Sequence, residues 1–237
     1  MPSRESSSST LYSEGMSAKS GQRPLIRLRR YGVTFMPVST DHDSRLPALY
    51  PITPAWVTPD QRSRLMQCIE AELRSGVGLL RIRLPLWADD LVRDLASELS
   101  ASVEAACARI TLDADIPGAQ ALGGGFGVHL AARQLTDMDE RPLPPGRLVG
   151  ASCHSEYELE RALRLGVDFV TLSPVAATAS HPDAEPLGWN RFRQLVEGYP
   201  LPVYALGGMT PDQLTEARRH GAHGVAGIRA FWRSTVE

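Results

Sequence analysis

Three features of this sequence have residue types and spacings suited to an anionic ligand. Gly207 and Gly208 in ALGGM, and Gly227 and Ile228 in VAGIRAFW, offer backbone N–H groups with little side chain in the way. Taken alone, these glycines equally suit tight turns after strands. Arg81 and Arg83 in LLRIRL are two residues apart, so on a strand both guanidinium groups share one face and could hold an oxyanion bidentately. The opposite register would send both to solvent between helices; the apolar wall usual on the helix-facing side favours the inward one. The third feature is the stretch SPVAATASHPDAEPLGW, Ser173 to Trp189, whose small and hydroxylated residues bury little. It is either a plain connector or the lid of a ligand site.

Composition removes several chemistries. Lys19 is the only lysine in 237 residues, so neither Schiff-base chemistry nor a P-loop lysine is available beyond the N-terminal segment. A formal net charge of −2 gives no global field to draw nucleic acid or an anionic membrane, and anion binding must be local. Cys68, Cys107 and Cys153 are widely spaced without a CxxC pair, the usage of a reduced cytoplasmic protein. No Cys/His spacing supports a zinc site, and no apolar run reaches transmembrane length.

The elements that must position these groups follow a regular alternation from Leu49 onward. Apolar runs without clean alternation, ALYPIT, VGLLRIRL, ARITLD, FGVHL, RLVGASC, DFVTLSP, LPVYALG and HGVAGI, read as parallel strands buried on both faces. Each is followed by a helix or a short helical turn. Thr58 with Gln61, Ser155 with Glu158, and the Thr-Pro-x-Gln repeated at Thr210 are helix starts, while Gly76, Gly166 and Gly221 are stops. Leu65, Ile69 and Leu73 recur at helical spacing and predict one buried face. Ala88–Cys107 reads as one helix, and RAFWRSTV as a terminal helix. Eight such units within this length predict a (β/α)8 TIM barrel over residues 46–237, since an open dinucleotide-binding sheet would need a G-x-G-x-x-G turn that is missing.

Residues 1–45 are expected to form a disordered or weakly structured extension. Residues 1–24 are Ser-rich and apolar-poor, Leu25–Phe35 reads as a strand or a remnant, and Met16 and Met36 could each begin the chain. In a barrel the ligand site lies at the C-terminal ends of the strands, with phosphate after strands seven and eight, where Gly207, Gly208, Gly227 and Ile228 fall. His129, on strand four among apolar residues, reads as a core histidine. His220 and His223 flank a helix end, and Trp189 and Trp232 read as packing residues.

GASCH, the strand-six loop, ALGGMTPDQL and GAHGVAGI, in this order and spacing, resemble the thiamine phosphate synthase/TenI family of barrels, from about Leu49 to Trp232. Members join the pyrimidine and thiazole halves of thiamine or isomerise the thiazole phosphate. The resemblance extends to the barrel found behind a Nudix domain in some bacterial fusion proteins, although this chain has no Nudix box. It implies that Thr178 and Ser180 are phosphate-binding hydroxyls, that Gly207, Gly208, Gly227 and Ile228 form the backbone cradle, and that Ser152 is a further donor. His154 matches the proton shuttle of the tautomerases, and an imidazole suits acid–base work near neutrality. The plainer role for His154 is to cap a helix or bond a carbonyl.

Departures from the family pattern bear on the chemistry. Ala114 and Gln134 stand where the two Mg2+-binding aspartates are expected, with Asp113 and Asp115 flanking the first. His181 replaces a diphosphate-binding lysine, and of the strand-two triplet only Arg83 is kept, with Arg81 and Pro85 as replacements. Mg2+ could therefore be held only by a shifted geometry, no cofactor is firmly implied, and displacement of diphosphate loses much of its electrostatic support. The expectation is a thiazole or pyrimidine phosphate ligand with tautomerase-like proton transfer, or a divergent synthase. The alternative is a non-catalytic phosphate-binding barrel acting as sensor or companion. Candidate protein partners are a second copy of the chain and a separate Nudix hydrolase.

Overall fold

The computed structural model describes residues 26–28, 33–35, 46–178 and 184–232. They fall into two units. In the first, Ile26–Leu28 pairs antiparallel with Val33–Phe35, so the expected strand at Leu25–Phe35 is a two-stranded ribbon. The disorder expected for residues 1–24 lies outside the described residues.

The second unit is a ring of eight parallel strands: β1 Leu49–Pro51, β2 Leu79–Ile82, β3 Arg109–Asp113, β4 Phe126–Leu130, β5 Val149–Cys153, β6 Phe169–Leu172, β7 Val203–Ala205 and β8 Gly224–Gly227. Each pairs with its neighbour in chain order from β2 to β8, and β8 pairs with β1. A bridge between Ile52 and Arg81 links β1 to β2. This is the predicted (β/α)8 barrel. Every residue of β2, β4, β6 and β8 is buried, which is why these strands read as near-continuous apolar runs.

Helices cover the outside. Leu65, Ile69 and Leu73 of α1 (Arg62–Arg74) pack on Leu80, Ile82, Ile110 and Leu112, as their spacing predicts. Gln61 Oε1 accepts the N–H of Thr58 at 3.0 Å, and Gln213 Oε1 that of Thr210 at 2.9 Å, so the repeated Thr-Pro-x-Gln marks two identical helix entries. The helix expected over Ala88–Cys107 divides into α2 (Asp89–Glu98) and α3 (Ser100–Ala105), with Leu99 at φ −75°, ψ −9° between them. Ser97 and Ser100 flank that point, and serine sustains a helix less well than alanine or leucine. After β8 a single turn, Arg229–Phe231, stands where a longer terminal helix is expected; residues 233–237 lie outside the description.

The barrel interior is filled by rings. Tyr50, Phe169 and Tyr204 meet at centroid distances of 5.3 to 5.5 Å, with His129 5.8 Å from Tyr50. Gly150 is required here, because a Cβ would come within 2.4 Å of Phe169 and 2.7 Å of His129. The packed interior closes the barrel below the strand ends and leaves only their C-terminal mouth for a ligand.

Candidate functional site

At that mouth lies a cavity of about 710 Å³. Its wall brings together Arg81, Arg83, Ser152, His154, Thr178, Gly207, Gly208, Gly227 and Ile228 from five strand ends. Ser180 and His181 lie outside the described residues. Three lining arginines (Arg81, Arg83 and Arg229) against one aspartate, Asp113, leave two net positive charges among the described lining residues. Such a low-dielectric concave wall attracts an anion even though the whole chain is slightly acidic.

The β7–β8 side is built from backbone. Gly207 and Gly208 have φ of +93° and +68°, and a Cβ on either would strike the β6 loop, 2.7 Å from Pro174 Cα and 2.8 Å from Ala177 O. The tight-turn role of these glycines is therefore real, and it folds the β6 loop against the cavity. Gly227 has a different reason, since the Phe231 ring occupies its Cβ space at 2.4 Å. Among the described residues no backbone acceptor is paired with the N–H of Gly207, Gly208 or Ile228. Unpaired N–H groups on a concave wall are anion donors.

The β2–β3 side is built from charge. Arg81 and Arg83 do share the inward face, but they meet a partner there. Arg81 donates through Nε to Asp113 Oδ1 at 2.8 Å and again through its terminal nitrogen, while Arg83 Nε stands 3.5 Å from Oδ2. Arg81 is 7% exposed in its side chain and Arg83 33%. Arg83 is thus the guanidinium with donors to spare, and Arg81 is held by Asp113.

These carboxylates do not fit a Mg2+ site. Asp113 is covered by two guanidinium groups. Asp115 caps α4 (Ile116–Leu122) through the N–H of Gly118 at 3.0 Å and pairs with Arg93 at 2.7 and 2.8 Å. The Arg93 hydrogen bond, more than any other contact, holds the Asp115 carboxyl below the usual carboxylate range. Gln134 accepts from Ala131 N at 2.9 Å and donates to Ala114 O at 3.1 Å, tying the two substituted positions to each other. Among the described residues no group of three or more His, Cys, Asp or Glu could hold a metal.

His154 sits at the end of β5 and lines the cavity. Its Nδ1 lies 2.8 Å from the carbonyl of Ser173, which can only accept, and 3.3 Å from Ser173 Oγ, so in the neutral imidazole a proton on Nδ1 satisfies the shorter contact and leaves the lone pair on Nε2. The carbonyl bond foreseen as the plainer role thus also favours one tautomer of the neutral ring. Ser152 Oγ lies 3.1 Å from His129 Nε2, and His129 Nδ1 lies 3.0 Å from the hydroxyl of Tyr50, itself 2.6 Å from Thr111 Oγ1. His129 is a core histidine, as expected, but one whose chain of partners reaches the cavity at Ser152. Burial, aided by the charge of Arg81, pushes its pKa well below the ordinary imidazole value, so it is neutral. Burial likewise raises the Tyr50 phenol.

Other groups fall into supporting roles. His220 bonds Glu216 at 3.0 Å and stacks on Trp189, and His223 bonds Leu46 O at 2.9 Å. Trp232 donates to Ile52 O at 2.8 Å. Residues that sequence reasoning did not single out are Trp56 and Arg229, both on the cavity wall. A readable signal existed for Trp56: a large aromatic between two prolines, in PAWVTP, directly after a strand end.

Comparison with known proteins shows the family and the fold. The family model described as thiamine monophosphate synthase matches residues 49–231. A thiamine-phosphate synthase of Synechococcus sp. (strain WH7803) is 33% identical over 176 residues, 74% of this chain and 50% of that protein. Another, of Alcanivorax borkumensis, is 30% identical over 193 residues, 81% of this chain and 88% of its own length. Among solved structures, a thiamine phosphate pyrophosphorylase from Pyrococcus furiosus superimposes with a TM-score of 0.58 at 23% identity, covering 76% of this chain and 84% of that one, a likeness of fold. No helix among the described residues is long and apolar enough to cross a membrane.

Proposed function

The chain belongs to the thiamine monophosphate synthase family, and from that premise we propose that it binds a thiazole monophosphate and moves a proton on its ring. The phosphate rests on the N–H groups of Gly207, Gly208 and Ile228, with Arg83 and the hydroxyls of Ser152 and Thr178 around it. His154 Nε2 takes a proton from one carbon of the thiazole system and returns it to another, so the ligand is isomerised with no net loss. The observation that carries this reading is the 2.8 Å contact between His154 Nδ1 and Ser173 O, which in the neutral ring leaves Nε2 as the basic nitrogen of a cavity-lining imidazole.

Two features weigh against diphosphate displacement. The carboxylates near the substituted aspartate positions are engaged by arginines, and no lysine stands among the described lining residues. A monophosphate needs less counter-charge than a departing diphosphate, and two net positive charges meet that need.

His154→Ala tests the proposal. Positioned acid–base groups contribute about 100- to 10,000-fold, so thiazole phosphate isomerisation should fall at least about 100-fold. Thiazole phosphate affinity, measured by calorimetry, should stay within about threefold, because His154 is not one of the phosphate donors. Isomerisation unchanged in the variant, or absent in the wild type, overturns the proton-transfer role.

A further inference from the structure

Trp56 is 45% exposed, and it stands on a loop hydrogen-bonded to the barrel on both sides of it. The loop runs from β1 to the first helical turn. At one end Ile52 O accepts the indole N–H of Trp232 at 2.8 Å; at the other Val57 O accepts that of Trp87 at 2.9 Å. Between them Thr53 Oγ1 donates to Arg83 O at 2.9 Å and accepts from Arg83 N at 2.7 Å, while Thr53 N donates to Arg81 O at 3.0 Å. Four residues on from Ile52, Trp56 lines the cavity mouth with nearly half of its surface still exposed. A firmly anchored loop presenting a half-exposed indole to a cavity forgoes part of the burial that normally makes tryptophan stabilising.

One group covers that ring. The guanidinium carbon of Arg229 lies 5.2 Å from the Trp56 centroid. Arg229 follows Ile228, so the cover grows from the same turn that carries the phosphate-facing N–H. An exposed cation–π contact is weak, on the order of 0.5–1 kcal/mol, and a flat ring can displace it.

We infer that Trp56 is the ring-recognition residue of this site, stacking on a planar heteroaromatic ring whose phosphate lies on the Gly207–Gly208 and Ile228 N–H groups, with Arg229 as the movable cover. This deepens, and rests on, the reading of the cavity as a phosphate site. Specificity is thereby divided: backbone and Arg83 select the phosphate, and Trp56 selects what the phosphate is attached to.

Calorimetry with three probes, inorganic phosphate, glycerol phosphate and thiazole phosphate, tests the inference on the wild type, Trp56→Ala and Trp56→Phe. The wild type should favour thiazole phosphate over glycerol phosphate by about tenfold, the scale of one aromatic stacking contact. Trp56→Ala should abolish that preference while binding inorganic phosphate within about twofold of wild type, and Trp56→Phe should keep most of the preference. If the wild type binds all three probes and Trp56→Ala retains the ring preference, the inference is overturned and the phosphate site stands. If the wild type binds none of the three, both fall together.

Discussion

The barrel carries an arginine–aspartate assembly at each end, and the two are finished differently. Below the strands, Arg141 donates to Leu143 O at 3.1 Å, Arg147 O at 2.7 Å, the carbonyl of Gly166, and Asp168 Oδ2 at 2.7 Å. Asp168 also accepts the N–H of Val149 at 2.7 Å, and its side chain is 4% exposed. At the mouth, Asp113 draws two donors from Arg81 onto one oxygen, while its other oxygen meets only Arg83 at 3.5 Å. The guanidinium of Arg83 faces the cavity. The same pair of residue types is a fastener where its donors close on backbone, and a receptor where some are left toward a cavity. Completeness of hydrogen bonding, more than charge, separates the two.

The strongest way to break this comparison is to truncate each end. Arg141→Ala leaves the buried Asp168 carboxylate without its counter-ion, with only the Val149 N–H still donating to it, and takes a donor from three carbonyls, so unfolding free energy in urea should drop by roughly 3–5 kcal/mol. Phosphate affinity of the folded fraction should stay within about twofold. Arg83→Ala should do the reverse, with a stability change under about 1 kcal/mol and a loss of phosphate affinity of about tenfold, as for one charge-assisted hydrogen bond. Equal destabilisation by the two substitutions would show that the mouth assembly is also a fastener.

How far these ends could be read in advance follows from the range of the interactions. The eight strands are legible because parallel strands buried on both faces need unbroken apolar runs, and stops such as Gly166, at φ +73°, lie where the helix must end. The inward direction of Arg81 and Arg83 follows from their spacing of two. Their partner does not, since Asp113 lies 32 residues from Arg81 and meets it only through strand pairing. Trp56 belongs to no periodic element, and its meaning depends on Trp87, Trp232 and Arg229, which converge only in three dimensions. The break at Leu99 is one of backbone continuity, invisible in a pattern whose apolar face runs on.

A smaller effect sharpens the link between core and mouth. His129 stays neutral in the native state because burial penalises its charged form, whereas in the unfolded chain it titrates near pH 6.5. Below that pH the unfolded state binds a proton that the native state refuses. Stability is therefore full above about pH 6.5 and declines as the pH falls toward the depressed native value, by at most about 1.4 kcal/mol per unit from this group. Thermal melts of the wild type and His129→Gln should diverge least at acid pH, since the variant lacks this slope. Parallel curves for the two proteins from pH 7 to 5 would mean that His129 takes up its proton in the native core as readily as in the unfolded chain.

The smallest expected effect concerns Mg2+. A divalent ion at the mouth would have to compete with Arg81 and Arg83 for Asp113, or with Arg93 for Asp115, and each exchange gives up charge-assisted hydrogen bonds already formed. Gln134 is committed to Ala131 N and to Ala114 O, so that carbonyl too already has a donor. Arginine thus occupies the electrostatic place that a metal fills where such carboxylates are free, with the difference that the guanidinium charge cannot be chelated away. Phosphate affinity with millimolar Mg2+ and with a chelator should accordingly agree within about twofold. Tightening of tenfold or more by Mg2+ would require Asp113 to leave Arg81, which would make the mouth pair a gate for the ion and place Arg81 among the moving parts of the site.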